Sequence, residues 1–517
     1  MGNRTYNILF HTHTVSGIVI SVALYVIFFA GSFSFFRDEI VNWERGHTVE
    51  DYDELSVDFN SVLKDLKKDH DLYGRDVEMV HYFNERQIGV NISPSKDSLA
   101  SEKAKTNSFF YLDTEDRSTQ TYVESYSLGE FLYRLHFFAQ VPYPYGYYLS
   151  GFVAFFFLFA ILTGIIVHWK KIVSNFYLFR PMAKLKTLWT DAHTALGVIG
   201  FPFQFVYAVT GAFFMLKLLL VAPMVFGLYD GEEAELYKDL EYDHPSFAFQ
   251  HTALPETPNI NQFVATTKEK WQNFKVTEVH IFNYGDTGMH VSISGNLDRR
   301  AKMNGIGNII YKVTENSPVE VKDPTEATSY LDGVKNMMFR LHFGDYAGYG
   351  LKLISFILGL ISCFVIISGV MIWLVARDKK HIPEKRRKFN ATVVRYYLAI
   401  CLSMFPVTAL AFILVKINPA ASMRFIYYAY FLSWLAFSVF LVLRKNKRFI
   451  NNFTLLSGSL LGFLVPITNG LLTGNWIWKS FSEDQTQIFL IDLLWLILSV
   501  ISLLVYLKLR RGRTTKV

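Results

Sequence analysis

The sequence predicts a mainly α-helical membrane protein with eight transmembrane helices and two α+β domains outside the membrane. Of its 517 residues, 51% are hydrophobic and only 19% are charged, which is not the balance of an ordinary soluble enzyme. Apolar runs long enough to cross a bilayer, which takes about 20 residues, recur eight times. Two long polar segments, after the first and third runs, each have room for a small domain.

The eight predicted transmembrane helices cover residues 14–36, 147–168, 194–225, 349–375, 392–415, 425–443, 452–473 and 486–507. The first run is too long for a signal-peptide core and no small-residue cleavage site follows it, so we expect it to be retained. The third run is long enough to extend beyond the hydrocarbon layer or to bend. The last four helices form an appended module, residues 392–517, which follows a basic loop at 376–391.

Each polar segment predicts a helix followed by antiparallel strands. In the first segment, 37–146, we expect a helix around 55–70 and strands at 77–83, 88–92, 108–112 and 119–123. In the second segment, 226–348, we expect a helix near 261–274 and strands at 276–282, 289–294 and 308–313. The sequence therefore predicts two outer α+β domains of similar construction.

The basic residues predict the orientation of the helices. Twenty-one lysines and arginines, against three carboxylates, lie in the segments 169–192, 376–392 and 444–448 and in the tail after residue 507. Short loops with such an excess stay in the cytoplasm, so we expect both termini there and both α+β domains on the outer side. The net charge of +6 then reflects membrane topology and does not indicate nucleic-acid binding.

Cysteine chemistry is excluded as the source of a metal or redox centre. Only Cys363 and Cys401 are present, both inside apolar runs. Two cysteines form neither a disulfide framework nor a thiolate cluster for zinc or an iron–sulfur centre. Any redox reaction would need another cofactor.

Histidines recur at matched positions in two halves of the chain. A His-x-x-x-Gly element opens the first apolar run at 13–17 and the third at 193–197. An Arg-Leu-His-Phe element precedes the second run at 134–137 and the fourth at 340–343. The unit of helix, outer domain, Arg-Leu-His-Phe and second helix therefore occurs twice within residues 1–376, as a parallel repeat.

The duplication places His13 and His193 near the inner face and His136 and His342 near the outer face of a four-helix core. Ionisable residues at membrane helices are costly and are functional candidates. A flat macrocycle on the axis of the core could receive one imidazole from each side, so we predict two bis-histidine haems. They would be b-type haems, since no Cys-x-x-Cys-His is present. Interfacial residues, or zinc or copper ligands, are the alternative interpretations of these histidines.

Three further residues are candidates around the predicted haems. His168 ends the second apolar run at the inner face, where it could replace one inner ligand or hydrogen-bond to a ligand or a propionate. His11 could also take the place of His13. Arg134 and Arg340 could neutralise haem propionates or contact a ligand, and anchoring to lipid phosphates is an equal alternative.

These ordered motifs resemble the PepSY-associated transmembrane family, over residues 1 to about 376. The resemblance implies a haem-containing bacterial inner-membrane protein with two PepSY-like periplasmic domains, linked to iron uptake. Some members reduce ferric siderophores. The appended four-helix module departs from the family's minimal pattern, which leaves the electron source and partner open.

We therefore expect a membrane oxidoreductase that carries electrons from the inner haem to the outer haem and reduces a ferric siderophore or other ferric chelate. A quinol is the expected donor, since no Gly-x-Gly-x-x-Gly element for a dinucleotide is present. One alternative is a non-enzymatic sensor or scaffold that binds a periplasmic partner. Another alternative is a transporter. We expect no carboxylate inside the membrane in residues 392–507, and this expectation weighs against transport.

Overall fold

The computed structural model describes residues 2–47, 54–169, 172, 177, 180, 185–242, 245–299 and 302–511. Of the basic residues that predict the orientation, Lys170, Lys171, Lys184, Arg513 and Lys516 lie outside these ranges. The helices that position the site are α1 Asn3–Ser34, α2 Arg37–Arg45, α3 Phe59–Asp69, α4 Leu128–Leu135, α5 Tyr145–His168, α6 Leu185–Leu228, α7 Glu233–Asp239, α8 Ile260–Lys270, α9 Tyr330–Phe343 and α10 Gly348–Ala376. The appended module consists of α11 Glu384–Ile417, α12 Met423–Leu443, α13 Lys447–Thr473, α14 Ile477–Ser482 and α15 Thr486–Arg511.

Eight described helices are long and apolar enough to cross a membrane, as predicted: α1, α5, α6, α10, α11, α12, α13 and α15. Most extend beyond the predicted runs, because polar residues at a helix end lower the hydropathy without ending the helix. The third, α6, has 44 residues and contains Pro202 and Pro223. At about 1.5 Å per residue it is roughly twice as long as the hydrocarbon layer, about 30 Å thick.

Four of these helices form the core around which the predicted histidine pairs lie. Helix α1 packs against α5 and α10, and α6 packs against the same two helices. The two helices that open the repeats, α1 and α6, therefore stand diagonally opposite each other. Residues at matched positions on α1 and α6 can then face one another across the centre of the bundle.

The appended module packs against this core and shares one apolar interior with it. Helix α11 contacts α1 and α10, and α15 contacts α2. Contrary to the sequence prediction, this module contains a buried carboxylate, Asp492 on α15. Its two oxygens accept hydrogen bonds from Trp43 Nε1 at 2.8 Å and from Asn469 Nδ2 at 2.9 Å.

The strands of the two predicted outer α+β units form one continuous sheet. Its eight antiparallel strands are arranged in the order β4-β3-β2-β1-β5-β6-β7-β8. Their bounds are β1 Val77–Val80, β2 Gln87–Ile92, β3 Ser108–Asp113, β4 Thr119–Gln120, β5 Lys275–Phe282, β6 His290–Asn296, β7 Ile306–Lys312 and β8 Ser317–Lys322. The halves join where β1 pairs with β5, and we call this junction the seam.

Strand alternation gives the sheet one apolar face. At the seam, Val77, Met79, Val279 and Ile281 are completely buried on that face, which α3 and α8 cover with the rest of the outer core. The opposite face carries mostly polar residues of β1, β2, β5 and β6. We call the end of the bundle below the sheet the sheet side, and the opposite end the far side.

The helices α3 and α8 also bind each other reciprocally at their N-termini. Asn261 Oδ1 accepts the backbone N–H of Phe59 at 2.9 Å, and Asn60 Oδ1 accepts that of Ile260 at 2.9 Å. These bonds satisfy amide groups that a helix leaves without intrahelical partners. The two halves are thus related by an approximate two-fold axis through the seam.

Candidate cofactor site

Two histidine pairs face each other across the four-helix core, one on each side. On the far side, the rings of His13 and His193 have centroids 6.2 Å apart and planes inclined by 75°. On the sheet side, the ring centroids of His136 and His342 are 6.4 Å apart with planes inclined by 33°. The structure therefore brings the four predicted ligands together in the predicted pairs.

The far-side histidines are held by equivalent partners in the two halves. His13 Nδ1 lies 2.7 Å from the carbonyl oxygen of Ala160 on α5. His193 Nδ1 lies 3.0 Å from that of Val365 on α10, and 3.0 Å from Ser368 Oγ. Because a carbonyl oxygen can only accept, each Nδ1 donates, and each Nε2 keeps its lone pair.

Two glycines adjoin these far-side rings. A Cβ on Gly164 would lie 3.1 Å from His13 Cε1, and one on Gly369 would lie 3.3 Å from His193 Cε1. Both positions come four residues after the carbonyl that fixes the ring. Glycine at these positions therefore lets the rings lie close against the helices.

One helical turn beyond the far-side histidines, the same faces of α1 and α6 are open. A Cβ on Gly17 or Gly197 would have no atom within 4 Å. Each glycine follows its histidine by four residues and so lies on the same side of the helix. These glycines leave space beside the ring pair, as a planar macrocycle between two imidazoles requires.

The sheet-side histidines are anchored differently in the two halves. Thr210 Oγ1 donates to the carbonyl of Val206 at 2.7 Å and accepts from His342 Nδ1 at 2.8 Å. The equivalent residue in the first half is Ala30, and His136 Nδ1 bonds instead to the carbonyl of Tyr133. In both halves, Nδ1 again donates and leaves the Nε2 lone pair available.

Burial keeps both sheet-side imidazoles neutral. It lowers the pKa of His136 to about 4 and that of His342 to about 3, the latter also through the neighbouring His136. A neutral imidazole is the form that binds a metal. No Nε2 atom of the four histidines has a hydrogen-bond partner within the described ranges.

The sheet-side pair lines a cavity of about 110 Å³ that extends into the bundle. Aromatic rings form much of the wall, among them Phe28, Phe157 and Phe203 in its deeper part and Tyr207 beside His342. Such a wall suits a large apolar ring.

The two predicted arginines are already engaged with carboxylates. Arg134 Nε donates to Glu130 Oε1 at 2.8 Å, and Arg340 forms an ion pair with Asp345. Neither lines the cavity. Both ion pairs are local to the short helices that carry His136 and His342, and the predicted contact of the arginines with a propionate stays a prediction.

His168 and His11 occupy secondary positions in the structure. His168 ends α5 within electrostatic range of His13, whereas His11 is exposed and its ring contacts Phe10. The ring that faces His193 is that of His13. The structure therefore favours His13 over both alternatives as the far-side partner.

Each pair brings two imidazoles opposite each other, with ring centroids 6.2 and 6.4 Å apart, and could hold a metal ion or a metal-centred ring. A ligating histidine also normally donates its other N–H to an oxygen, as all four do.

Sequence reasoning missed the groups that orient the rings. Thr210 could have been identified, since it adjoins Gly211 in the repeated element. The carbonyls of Tyr133, Ala160 and Val365 could not have been identified from the sequence. Every residue has a carbonyl, and only helix packing decides which one the histidine contacts.

A family model described as the PepSY-associated TM region matches residues 10–376. The match includes both repeats, all four facing histidines and the whole sheet. It ends where the basic loop begins, so the appended module lies beyond it. None of the curated proteins matches the chain.

Proposed function

The chain belongs to the family defined by the PepSY-associated TM region, and on that premise we propose that it is a haem-dependent membrane oxidoreductase. It would reduce a ferric siderophore, Fe3+ to Fe2+, on the sheet side and so release the iron. The observation that carries the proposal is the pair of facing histidine sets, with ring centroids 6.2 and 6.4 Å apart at opposite ends of one bundle.

Haem b bound by His13 with His193, and by His136 with His342, would supply one-electron transfer between the two sides. The chain's own residues fix the ring orientations through Nδ1 and exclude water with the aromatic wall. They supply four neutral nitrogen ligands and no thiolate. This donor set matches low-spin, bis-histidine binding.

The sheet side suits exchange with an external acceptor. His136 and His342 line the cavity, and the sheet lies at that end of the bundle. A siderophore holds Fe3+ through hard oxygen donors, and the softer Fe2+ is bound less tightly by them. Reduction alone therefore weakens the chelate, and the site needs no hydrolytic group.

The proposed setting is the bacterial inner membrane, with both termini in the cytoplasm and the sheet in the periplasm. Described basic residues support this orientation, since the segments 376–392 and 444–448 lie at the far side of the bundle with Arg377 and Arg444 at helix ends. Electrons would then enter at the far-side pair, with a membrane quinol as the proposed donor.

The buried Asp492 removes the sequence argument against a transporter, but its contacts do not favour one. Both of its oxygens bind fixed donors, Trp43 and Asn469, which tie α2 to the appended module. Lys416 likewise donates to the backbone carbonyl of Trp43. These groups hold helices together, and so we do not propose transport.

The test is to purify the full chain and measure its haem. We expect two haem b per chain by the pyridine haemochrome assay, with low-spin spectra. Protein reduced by dithionite should be reoxidised by a ferric siderophore, with ferrous iron trapped by a ferrous-specific chelator. A colourless protein would overturn the haem proposal. Haem that stays reduced with several classes of ferric chelate would overturn the reductase proposal alone.

A further inference from the structure

Three potential metal ligands meet at the seam of the sheet, one from the first half and two from the second. The register pairs Glu78 of β1 with His280 of β5, and Glu278 lies two residues before His280 on the same strand. Side chains two residues apart share a face. All three therefore lie on the polar face, opposite the apolar core.

The three side chains are close enough to share one ion. Their ligand atoms, one from each residue, lie within 4.8 Å of one another, and all three residues are half-buried. Asn91, directly opposite Glu78 on β2, donates to Glu78 Oε2 at 3.3 Å. This bond fixes the position of the Glu78 carboxylate.

The cluster brings two carboxylates and one imidazole together. Among the described residues, neither carboxylate forms an ion pair with a lysine or arginine. Two carboxylates held together in this way favour a bound cation.

The polar face of the sheet is turned towards the bundle. Tyr111 of β3 lies on this face, through pairing with Gly89 of β2, and its hydroxyl is within electrostatic range of Glu130 on α4. Helix α4 ends at His136. The cluster of Glu78, Glu278 and His280 therefore faces the same end of the bundle as the sheet-side histidines.

We propose that Glu78, Glu278 and His280 bind one divalent first-row transition-metal ion at the seam of the sheet. Two hard carboxylates with one imidazole suit Mn2+, Fe2+ or Zn2+, and three protein ligands leave positions for water. The site rests on this geometry alone. Its assignment as a transit site for Fe2+ released below the sheet rests on the proposed function.

The experiment titrates the full chain in detergent with Mn2+ and follows the loss of the free-ion signal by electron paramagnetic resonance. We expect one Mn2+ per chain, displaced by Fe2+ under anaerobic conditions. Glu78→Gln, Glu278→Gln and His280→Gln should each weaken binding at least tenfold. Glu278→Asp, which keeps the charge, should weaken it less than Glu278→Gln.

The matched control is Glu320→Gln. Glu320 lies in the same cross-strand row as Glu78 and His280, at the exposed edge strand β8. Its substitution should therefore leave Mn2+ binding unchanged. Equal weakening by Glu320→Gln, or no stoichiometric Mn2+, overturns the site. If the purified chain binds Mn2+ but contains no haem, the metal site stands. Only its assignment as a transit site for Fe2+ is then overturned.

Discussion

The two histidine pairs have almost the same ring separation but lie in different surroundings. His13 and His193 lie within membrane-spanning helices, with glycines against their rings and backbone carbonyls as partners. His136 and His342 lie on short helices outside the spans, at a cavity with an aromatic wall. The same duplicated motif therefore has its rings packed against glycines on the far side and beside a lined cavity below the sheet.

Removal of one ligand should have the largest effect and should separate the pairs. His193→Ala is expected to abolish the low-spin signal of the far-side haem alone, and His342→Ala that of the sheet-side haem alone. Optical and electron paramagnetic resonance spectra with haem counts measure this. His11→Ala is the control and should change neither signal. Retention of both signals in His193→Ala would assign the far-side ligand to His168 or His11.

Gly164→Ala tests how tightly the His13 ring packs against α5. The added Cβ would lie 3.1 Å from His13 Cε1 and 3.2 Å from its Nδ1, and overpacking of this kind costs about 1–3 kcal/mol. We expect weaker far-side haem retention and an unchanged sheet-side spectrum.

The matched control is Gly211→Ala, where the nearest atom is Ala154 Cβ at an ordinary 3.5 Å. It should leave both haems in place. Equal loss in the two variants would contradict a tighter far-side site.

Thr210→Val tests the asymmetry within the sheet-side pair. The methyl group cannot accept from His342 Nδ1, and loss of such a supporting bond lowers metal affinity about 10- to 100-fold. A shift of the sheet-side haem potential with weaker retention is expected. Thr454→Val on α13, whose hydroxyl bonds only to backbone carbonyls of its own helix, is the control. An unaltered potential would show that His342 is held by packing alone.

The smallest expected effect concerns pH and the helix that carries His136. Glu44 accepts the N–H of Leu128 at the start of α4, and burial raises its pKa to about 7. Between about pH 4 and 7 the unfolded chain has lost this proton while the folded chain keeps it, so stability falls as pH rises and is constant above pH 7.

Glu44→Gln removes this titrating carboxyl. The loss of stability between pH 5 and pH 8 should then be smaller by about 1 kcal/mol, after allowance for solvent exposure. Thermal unfolding at pH 5 and pH 8 measures the difference between variant and parent. An identical fall in both proteins would mean that Glu44 does not titrate in this range.

Hydropathy predicted all eight spans because it is averaged over about 20 residues in each span. The same averaging hid Asp492, since one carboxylate changes the mean hydropathy of a span little. Duplication predicted the four histidines, whereas the carbonyls that orient them depend on helix packing. The single sheet was missed because β1 and β5 are about 200 residues apart, and local alternation does not specify which distant edge a strand joins.

The seam has a consequence for how such a chain could have arisen. The first half contributes β1 and the second half β5 to the seam, and each half supplies an asparagine that caps the other's helix. The two halves therefore contact each other through equivalent surfaces. This is the isologous contact of a two-fold dimer. A gene for one half could therefore have encoded a working homodimer before the halves were fused. After fusion each copy could vary independently, as the threonine at 210 and the alanine at 30 now do.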